Sequence, residues 1–417
     1  MIHIGKPYIT EENGRAFLKA HVTISQDTAR AYTQNIFSHR KYCVWLTDED
    51  YPPAAWEENG NLWFSVPSGY GKYLCKERSN AFVVALFWYA VVSGSDIEFE
   101  APLSKRFYDG ITTMLLPALK ESGFQNIRLI GNVTEEPVWC EGAVVSGMSA
   151  GVDSNYTLMR YSGEEVNTNV RLTHLCYYTC GYLFKPCDIS KGKDTLYSDE
   201  SNIAEIILNR AKKIAESHSI PLVVTTTNLD VDYYRGGYIY MAMYRYLSCT
   251  LAMEHLYKTY ISSSTGHETG MTDEVSLFVP TQHYESLLCR SLRTESFQYI
   301  SSDSDSRITK LKALADDKIF QKTASVCFDT GKNGENCGEC YGCMKTMIPL
   351  DVMGKLDGFR ESFDLKRYYS DREQIYRSLI DFSQQPEASS ARHTVRQIRE
   401  LCEKEEKLCC RTVSEGI

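Results

Sequence analysis

From about Glu141 onward the sequence alternates between short apolar runs and helix-like stretches, and this alternation restricts the fold more than any other feature. The apolar runs have the length of buried strands and occupy residues 143–147, 172–179, 222–227 and 258–263. Two predicted helices, 201–217 and 238–257, lie between them. In the first helix apolar residues recur at intervals of three and four, so one side should face a sheet. Strands that alternate with helices predict an α/β domain with a parallel sheet.

The two ends of the chain differ from this central part. Before residue 139 the pattern predicts strands at 42–46, 62–66, 96–100 and 126–130 and helices at 80–92 and 104–122. After Asp364 it predicts two charged helices, with a break at 384–390 and with Val395, Ile398, Leu401 and Leu408 on one side of the second. We therefore divide the chain into an α+β N-terminal accessory domain (1–138), an α/β domain (139–360) and a C-terminal helical extension (361–417).

Composition excludes several classes of protein. The net charge is −9, whereas a nucleic-acid-binding protein needs a basic patch, so nucleic acid is not an expected partner. The longest apolar run, 81–92, is shorter than the roughly 20 residues that span a bilayer, and the first residues lack the pattern of a signal peptide. We therefore predict a cytoplasmic protein with no membrane partner and with its fifteen cysteines reduced. A homo-oligomer is compatible with these properties.

The strongest candidate for a ligand site follows the strand at 143–147. There the chain continues as Met148-Ser149-Ala150-Gly151-Val152-Asp153-Ser154 and then becomes helical. The first amides of a helix have no partners within the helix and attract anions. Gly151 permits a close approach of phosphate, Ser149 and Ser154 add hydroxyl groups, and Asp153 could orient the loop or hold Mg²⁺. The alternative is an ordinary strand–turn–helix in which Ser and Asp act as helix caps.

Four cysteines near the C-terminus form a second candidate site. Cys327 is followed after nine residues by Cys337, and then by Cys340 and Cys343 at intervals of two residues. Gly338 and Gly342 permit the tight turns that let the thiolates converge on one ion. Four thiolates around one ion are typical of structural zinc. An iron–sulfur cluster and reduced core cysteines are the alternatives.

The segment 149–154 resembles the pyrophosphate loop, Ser-Gly-Gly-x-Asp-Ser, of the PP-loop ATP pyrophosphatases. Those enzymes cleave ATP to AMP and pyrophosphate and use the AMP to activate a carbonyl group. Ala150 stands where the family usually has its first glycine, and alanine fits there only if φ stays negative. The resemblance implies that residues 149–154 bind ATP and that Asp153 and Ser154 take part in catalysis.

The loop and the cysteine cluster together resemble the QueC family of 7-cyano-7-deazaguanine synthases, over about residues 141–360. Those enzymes adenylate a 7-deazaguanine carboxylate and join it to ammonia. The resemblance implies structural zinc at Cys327, Cys337, Cys340 and Cys343. Arg307 and Lys310 resemble a family lysine ahead of the cluster and would bind phosphate, with Lys310 catalytic; a solvated helix start is the alternative for both.

The resemblance implies an AMP-forming carbon–nitrogen ligase that uses ATP and Mg²⁺ on a deazapurine-like carboxylate. Longer relatives occur in antiphage gene clusters, including type IV CBASS, and look to attach a deazaguanine to a protein amino terminus. The acceptor here would be ammonia or a protein amine, and a protein partner would bind through the N-terminal domain. On this view Asp153→Ala abolishes turnover and leaves the fold intact.

Ligands of open α/β sheets bind beyond the C-terminal ends of the strands. This rule predicts contacts to nucleotide or acceptor from Tyr178 and Thr179, from 228–230 and from 262–268, where His267 and Glu268 could orient an amine. Two other functions remain open. One is an RNA sulfurtransferase, for which the candidate thiols are Cys176, Cys180 and Cys187. The other is a nucleotide-binding assembly protein without catalytic activity.

Overall fold

The computed structural model describes residues 1–38, 60–179, 203–229, 238–263, 282–302, 305–327, 335–384 and 389–404. These residues form an α/β structure with a largely parallel central sheet and a helical C-terminus. No helix among them is both long enough and apolar enough to cross a membrane.

The described strands number thirteen. They are β1 (Ile2–Ile4), β2 (Tyr8–Glu12), β3 (Arg15–Ile24), β4 (Asn61–Pro67), β5 (Ile97–Phe99), β6 (Leu103–Ser104), β7 (Leu129–Ile130), β8 (Val133–Thr134), β9 (Ala143–Gly147), β10 (His174–Thr179), β11 (Leu222–Thr227), β12 (Tyr257–Ser262) and β13 (Gln298–Ser301). Eleven of them form one sheet in the order β13-β12-β9-β10-β11-β4-β3-β1-β5-β7, with β2 also paired to β3, and β6 pairs with β8 separately.

The described helices surround this sheet or follow it. They are α1 (Gln26–Ser38), α2 (Asn80–Ser93), α3 (Lys105–Gly110), α4 (Leu116–Glu121), α5 (Val152–Tyr161), α6 (Ile203–Ser217), α7 (Tyr238–Ala252), α8 (Gln282–Ser291), α9 (Arg307–Leu314), α10 (Lys318–Thr323), α11 (Tyr341–Val352), α12 (Leu365–Ser370), α13 (Arg372–Ser383) and α14 (Ser389–Lys404). A π-helical turn, Ile111–Leu115, joins α3 to α4, and 3-10 turns occupy Ser68–Tyr73 and Leu356–Phe359.

The strands β12, β9, β10 and β11 are parallel neighbours, as the sequence pattern predicts, and β13, which it did not predict, pairs in parallel with β12. The predicted limits of β9 and β11 are confirmed, and those of β10 and β12 differ by one or two residues. The predicted helix 238–257 is too long, because α7 ends at Ala252. Tyr257 instead pairs with Ala143 in the sheet, so the chain must turn between Ala252 and Tyr257.

Both faces of the parallel strands are covered. On one face Val145, Cys176 and Tyr178 belong to a core shared with α2 and α7. On the other face Leu175 and Tyr177 pack with apolar residues of α6. Successive side chains of a strand point to opposite faces, so a strand covered on both sides is apolar throughout.

The first 24 residues form strands that the sequence pattern did not reveal. Strands β2 and β3 make a hairpin whose two-residue turn is Asn13-Gly14, with positive φ at both positions. Such a turn matches the twist of antiparallel strands and favours Asn-Gly. The predicted strands 62–66, 96–100 and 126–130 correspond to β4, β5 and the shorter β7. The predicted strand 42–46 lies outside the described residues.

The antiparallel strands join the parallel ones without a gap, because β4 pairs with β11. Asn228, which follows β11, accepts a hydrogen bond from the Trp63 backbone N–H at 2.9 Å and donates one to the Asn61 carbonyl at 2.8 Å. The sheet therefore continues across residue 139, and the core beside α2 includes residues from both sides of that position.

The C-terminal helices pack on α11. Among the described residues three helices follow Asp364, where the sequence predicted two, because the chain breaks at Asp371 between α12 and α13. Val395, Ile398 and Leu401 of α14 are buried in the same cluster as residues of α11 and α13, so these three residues pack within the chain. Leu408 lies outside the described residues.

Candidate functional site

A short loop connects β9 to α5 at the C-terminal end of the parallel strands. It begins at Met148, whose N–H donates to the Cys176 carbonyl at 2.8 Å, so the loop leaves the sheet beside β10. The Ala150 carbonyl accepts a hydrogen bond from the Ser325 N–H at 2.9 Å. Gly151 is the N-cap of α5 and supplies no side-chain cap. The first amides of α5 therefore lie at the end of a loop that is held from both sides.

Ala150 adopts φ +58°, in the left-handed region, contrary to the expectation that an alanine here would keep φ negative. Its methyl group is fully buried beside Met148 and other apolar residues of the sheet face. A left-handed conformation costs an L-residue about 1–2 kcal/mol. Burial of the methyl group and the bond from Ser325 hold the residue in this conformation. The loop thus has the backbone shape that favours glycine, although it carries alanine.

The two predicted hydroxyl groups lie together at the start of α5. The Oγ atoms of Ser149 and Ser154 are 3.2 Å apart. Ser149 Oγ accepts from the Gly151 N–H at 3.3 Å, and Ser154 Oγ donates to the Gly151 carbonyl at 3.2 Å. The structure therefore brings Ser149, Gly151 and Ser154 into one turn, where hydroxyl groups and helix N-terminal amides favour an anion.

Asp153 lies between two cations. Its Oδ1 is 3.0 Å from Lys310 Nζ, and its Oδ2 is 3.2 Å from Arg307 Nη1. Burial alone would raise the pKa of Asp153, but the charges of Arg307 and Lys310 outweigh that effect and hold the pKa below its usual value. The carboxylate is therefore ionised at neutral pH, and together the three side chains carry one net positive charge.

Arg307 and Lys310 come from the first turns of α9, which Ser306 caps by accepting a hydrogen bond from the Thr309 N–H. The Lys310 side chain is completely buried, and that of Arg307 is 14% exposed. Arg307 also donates to Thr346 Oγ1 at 3.0 Å. The alternative of a solvated helix start is wrong for both residues. The structure brings them to the loop, 154 and 157 residues along the chain from Asp153.

Sequence reasoning missed several residues that position these charges. Tyr156 lies one turn after Asp153 on α5, and its ring centroid is 5.7 Å from Lys310 Nζ. Its hydroxyl donates to Asp305 Oδ2 at 2.9 Å, and Arg160 pairs with the same carboxylate at 2.7 Å. Residues three and four apart on a helix share a face, so this spacing was the available signal.

Tyr178 and Thr179 direct their side chains away from the loop's hydroxyl groups. The Tyr178 hydroxyl lies 2.6 Å from Thr250 Oγ1 on α7, and burial raises the pKa of Tyr178 well above its usual value. Thr179 Oγ1 donates to Thr226 Oγ1 at 2.8 Å, between two strands. Both side chains thus have hydrogen-bond partners within the fold, and the predicted contacts of Tyr178 and Thr179 with nucleotide stay predictions.

Most other predicted strand-end residues lie outside the described residues, including Asp230, His267, Glu268, Cys180 and Cys187. Of those described, Asn228 forms hydrogen bonds with the backbone of two β4 residues, Asn61 and Trp63. Cys176 is completely buried within β10.

The four predicted metal ligands converge. Their sulfur atoms all lie within 4.8 Å of one another. Cys340 is the N-cap of α11 and Cys343 lies in its first turn, while Gly338, with φ +79°, makes the turn before them. This cluster could hold a metal ion such as zinc.

The donors around the sulfur atoms fit a metal centre. Cys327 Sγ accepts from the Cys337 N–H at 3.4 Å, and Cys337 Sγ accepts from the Cys340 N–H at 3.3 Å. Without a cation, a hydrogen bond with the Cys340 thiol raises the pKa of Cys327 to about 12, and the pKa of Cys343 is also raised by its two thiol neighbours. A divalent cation reverses this effect, because thiolates are the ligands it binds.

The other described cysteines differ from this cluster. Cys75, Cys140, Cys176, Cys249 and Cys289 form no disulfide bond, as predicted, whereas Cys402 is disulfide-bonded. The expectation that all thiols are reduced therefore fails at Cys402.

Comparisons with protein-family models, with curated proteins and with solved structures give no significant match to this chain.

Proposed function

We propose that the chain is an AMP-forming, ATP-dependent carbon–nitrogen ligase of the QueC-like type. Its acid substrate would be a 7-deazaguanine carboxylate, and its nitrogen donor ammonia or a protein amine, with a role in antiphage defence. The observation that carries the proposal is the loop 148–154, in which Ala150, at the position of the first glycine of a PP-loop, adopts a left-handed conformation that favours glycine.

The loop supplies what a pyrophosphate group needs. Hydroxyl groups of Ser149 and Ser154 lie beside the first amides of α5, and the N-cap residue leaves those amides without a side-chain partner. A pyrophosphate carries several negative charges, which the helix N-terminus and the net positive charge of Asp153, Arg307 and Lys310 favour.

The reaction would proceed in two displacements. A carboxylate oxygen of the acid attacks the α-phosphorus of ATP, a new P–O bond forms, and pyrophosphate leaves with the electrons of the broken bond. The amine then attacks the activated carbonyl carbon, AMP leaves, and the amine proton passes to solvent. Positioning and electrostatics supply most of the rate enhancement in phosphoryl and nucleotidyl chemistry of this kind.

The role of Asp153 follows from its contacts. Both of its oxygen atoms accept from cations, so the carboxylate orients Arg307 and Lys310 toward the loop. The same contacts do not fit Asp153 as a ligand of Mg²⁺, which would have to compete with two positive charges. Magnesium is therefore expected to reach the site with the ATP phosphates. Zinc at the four cysteines would be structural, since four thiolates leave no open position.

A sulfurtransferase needs a reactive thiol at the strand ends. Among the described residues Cys176 is the candidate there, and its complete burial within β10 does not favour that chemistry. A nucleotide-binding protein without turnover is the remaining alternative, and the following experiment separates it from the ligase.

The test is exchange of labelled pyrophosphate into ATP with the full chain, Mg²⁺ and 7-carboxy-7-deazaguanine. We expect exchange that depends on the acid, and AMP release with formation of an amide or a protein conjugate when an amine is added. With ammonia, a second ATP could activate the amide oxygen, and its loss with AMP would give a nitrile. Mass spectrometry would identify the product. Ser154→Ala should reduce exchange at least 100-fold, an order of magnitude typical of losing one transition-state donor (~10²–10³). Ser162→Ala, at the other end of α5, is the matched control and should exchange like the wild type.

Absence of exchange with any carboxylate, although ATP binds, would identify a nucleotide-binding protein and refute the ligase. Equal exchange in wild type and Ser154→Ala would show that the chemistry does not use this loop.

A further inference from the structure

A second cluster of metal-binding side chains lies away from the loop and from the four cysteines. Cys75 Sγ, a Glu77 carboxylate oxygen and a His255 ring nitrogen all lie within 4.8 Å of one another. Cys75 and Glu77 belong to the turn before α2, and His255 belongs to the turn between α7 and β12. The backbone fixes both turns, since the Cys75 N–H donates to the Ala252 carbonyl at 2.9 Å and the Glu141 N–H donates to the His255 carbonyl at 2.8 Å.

The orientation of the His255 ring suits a metal ligand. Nδ1 lies 2.9 Å from the Trp139 carbonyl oxygen, and because a carbonyl only accepts, Nδ1 carries the proton. Nε2 faces Glu77 Oε2 at 3.0 Å. The Trp139 ring stacks on the imidazole at 4.5 Å between centroids and fixes its plane. A ligating histidine commonly donates its second N–H to a backbone carbonyl, and Nε2, which pairs with Glu77 in this structure, would bind the ion in place of its proton.

The charges and chemical character of the three groups define the ion. Around a bound ion, a thiolate and a carboxylate together would carry two negative charges, which balance a divalent cation, and the imidazole would add a nitrogen ligand. Sulfur and nitrogen ligands exclude Mg²⁺ and Ca²⁺, which prefer oxygen, and match Zn²⁺.

The three side chains differ in burial, and the most exposed of them gives solvent access to the cluster. Cys75 and His255 are only 2% and 3% exposed, whereas the Glu77 side chain is 46% exposed. Glu254, next in sequence to His255, does not join them, because its carboxylate accepts from Asn80 and Thr294. The site therefore has two buried ligands, one ligand at the surface, and a side open to water.

We propose that Cys75, Glu77 and His255 bind one zinc ion with its fourth coordination position open to solvent. This site is distinct from the proposed nucleotide loop. His255 lies beside the start of β9, whereas the loop follows the end of that strand, and the five residues of β9 span about 16 Å. It joins the turn before α2 to a turn 180 residues later, so the ion would cross-link the antiparallel and parallel parts of the sheet.

The test is the zinc content of the purified full chain, measured by plasma mass spectrometry after removal of weakly bound metal. We expect His255→Gln and Glu77→Gln each to contain one zinc per chain less than the wild type. Cys140→Ser, which removes a half-buried thiol bonded to the Leu256 carbonyl, is the matched control and should keep the wild-type content. Glu77→Gln changes a partly exposed residue, so it reports on the site even if His255→Gln does not fold.

Cobalt substitution provides a spectroscopic readout. With Co²⁺ in place of zinc, Cys75→Ser should lose part of the thiolate-to-cobalt charge-transfer absorption of the wild type, and Cys140→Ser should lose none. Equal zinc content in wild type and Glu77→Gln, together with an unchanged cobalt spectrum in Cys75→Ser, would overturn the proposal and leave the cluster as an ion pair beside a buried thiol. Neither readout depends on ligase activity.

Discussion

Replacing Asp153 by asparagine removes the carboxylate that faces two cations at the start of α9. Lys310 is completely buried and Arg307 is 14% exposed, so both positive charges would keep their desolvation cost without this partner. Removal of one partner from a buried ion pair costs about 3–5 kcal/mol. Because Asp153 is 23% exposed, we expect the lower end of this range, a loss of about 3 kcal/mol in the free energy of unfolding. The substitution should therefore weaken the fold as well as the reaction, contrary to what the sequence alone predicts for Asp153→Ala.

The assay is urea unfolding at pH 7, followed by far-ultraviolet circular dichroism, on four chains that form a double-mutant cycle. They are the wild type, Asp153→Asn, Lys310→Met and the double variant. If the two side chains interact as the distances indicate, the double variant should be more stable than the sum of the single effects predicts, by about 1–3 kcal/mol. Glu361→Gln breaks an exposed ion pair with Lys322 and is the control, with an expected loss of at most about 1 kcal/mol.

Two results would refute this reasoning. One is an Asp153→Asn chain that unfolds at the wild-type urea concentration. The other is strict additivity of the two substitutions, which would mean that Asp153 and Lys310 do not stabilise each other.

Three further predictions use the same kind of measurement. Burial opposes ionisation of Asp153, but its cationic partners lower the pKa of the carboxyl group. The stabilising effect of the carboxylate is therefore complete above the unfolded-state pKa of about 3.9 and is lost as the pH falls through the lower folded-state pKa. The difference in stability between wild type and Asp153→Asn should shrink below about pH 4. Ala150→Gly should change the free energy of unfolding by less than about 1 kcal/mol, because relief of left-handed strain offsets the greater freedom of glycine in the unfolded chain. Ala150→Val should lower the free energy of unfolding by about 2–4 kcal/mol. Equal stability of the two variants would contradict a strained loop. Cys340→Ser should lose bound metal and unfold at a lower temperature than the wild type. Cys289→Ser is the control and should keep the wild-type metal content. Full metal content in Cys340→Ser would exclude the four-cysteine site.

The parallel strands were predictable because their signal is local. A buried strand such as β9 is a short apolar run bounded by small residues, and α6 shows its apolar stripe within 15 residues. The hairpin β2–β3 was missed although its turn, Asn13-Gly14, is the dipeptide that favours such hairpins. The pairing of β4 with β11 had no local signal, since nothing in either strand specifies which neighbour it takes.

The candidate site likewise has features that the sequence predicts and features that it does not. The loop and the cysteines were found because their members are close in sequence, at spacings that chemistry restricts. The burial of Lys310 was not predictable, because it depends on α5, which lies more than 140 residues earlier. Tyr178 was placed correctly at a strand end, but its side chain points into the core beside α7. Both faces of β10 are apolar, so its sequence does not reveal which residues face a ligand.

The pairing of β4 with β11 has a consequence for shortened versions of the protein. A chain that begins at residue 139 would lack β4, which pairs with Thr226 and Thr227, and would leave this end of β11 as an unpaired edge. Unpaired edges rich in β-branched residues recruit strands of other molecules, and this one has no charge or proline to prevent that. The N-terminal segment therefore covers part of this edge of the sheet, and its removal is expected to yield aggregates.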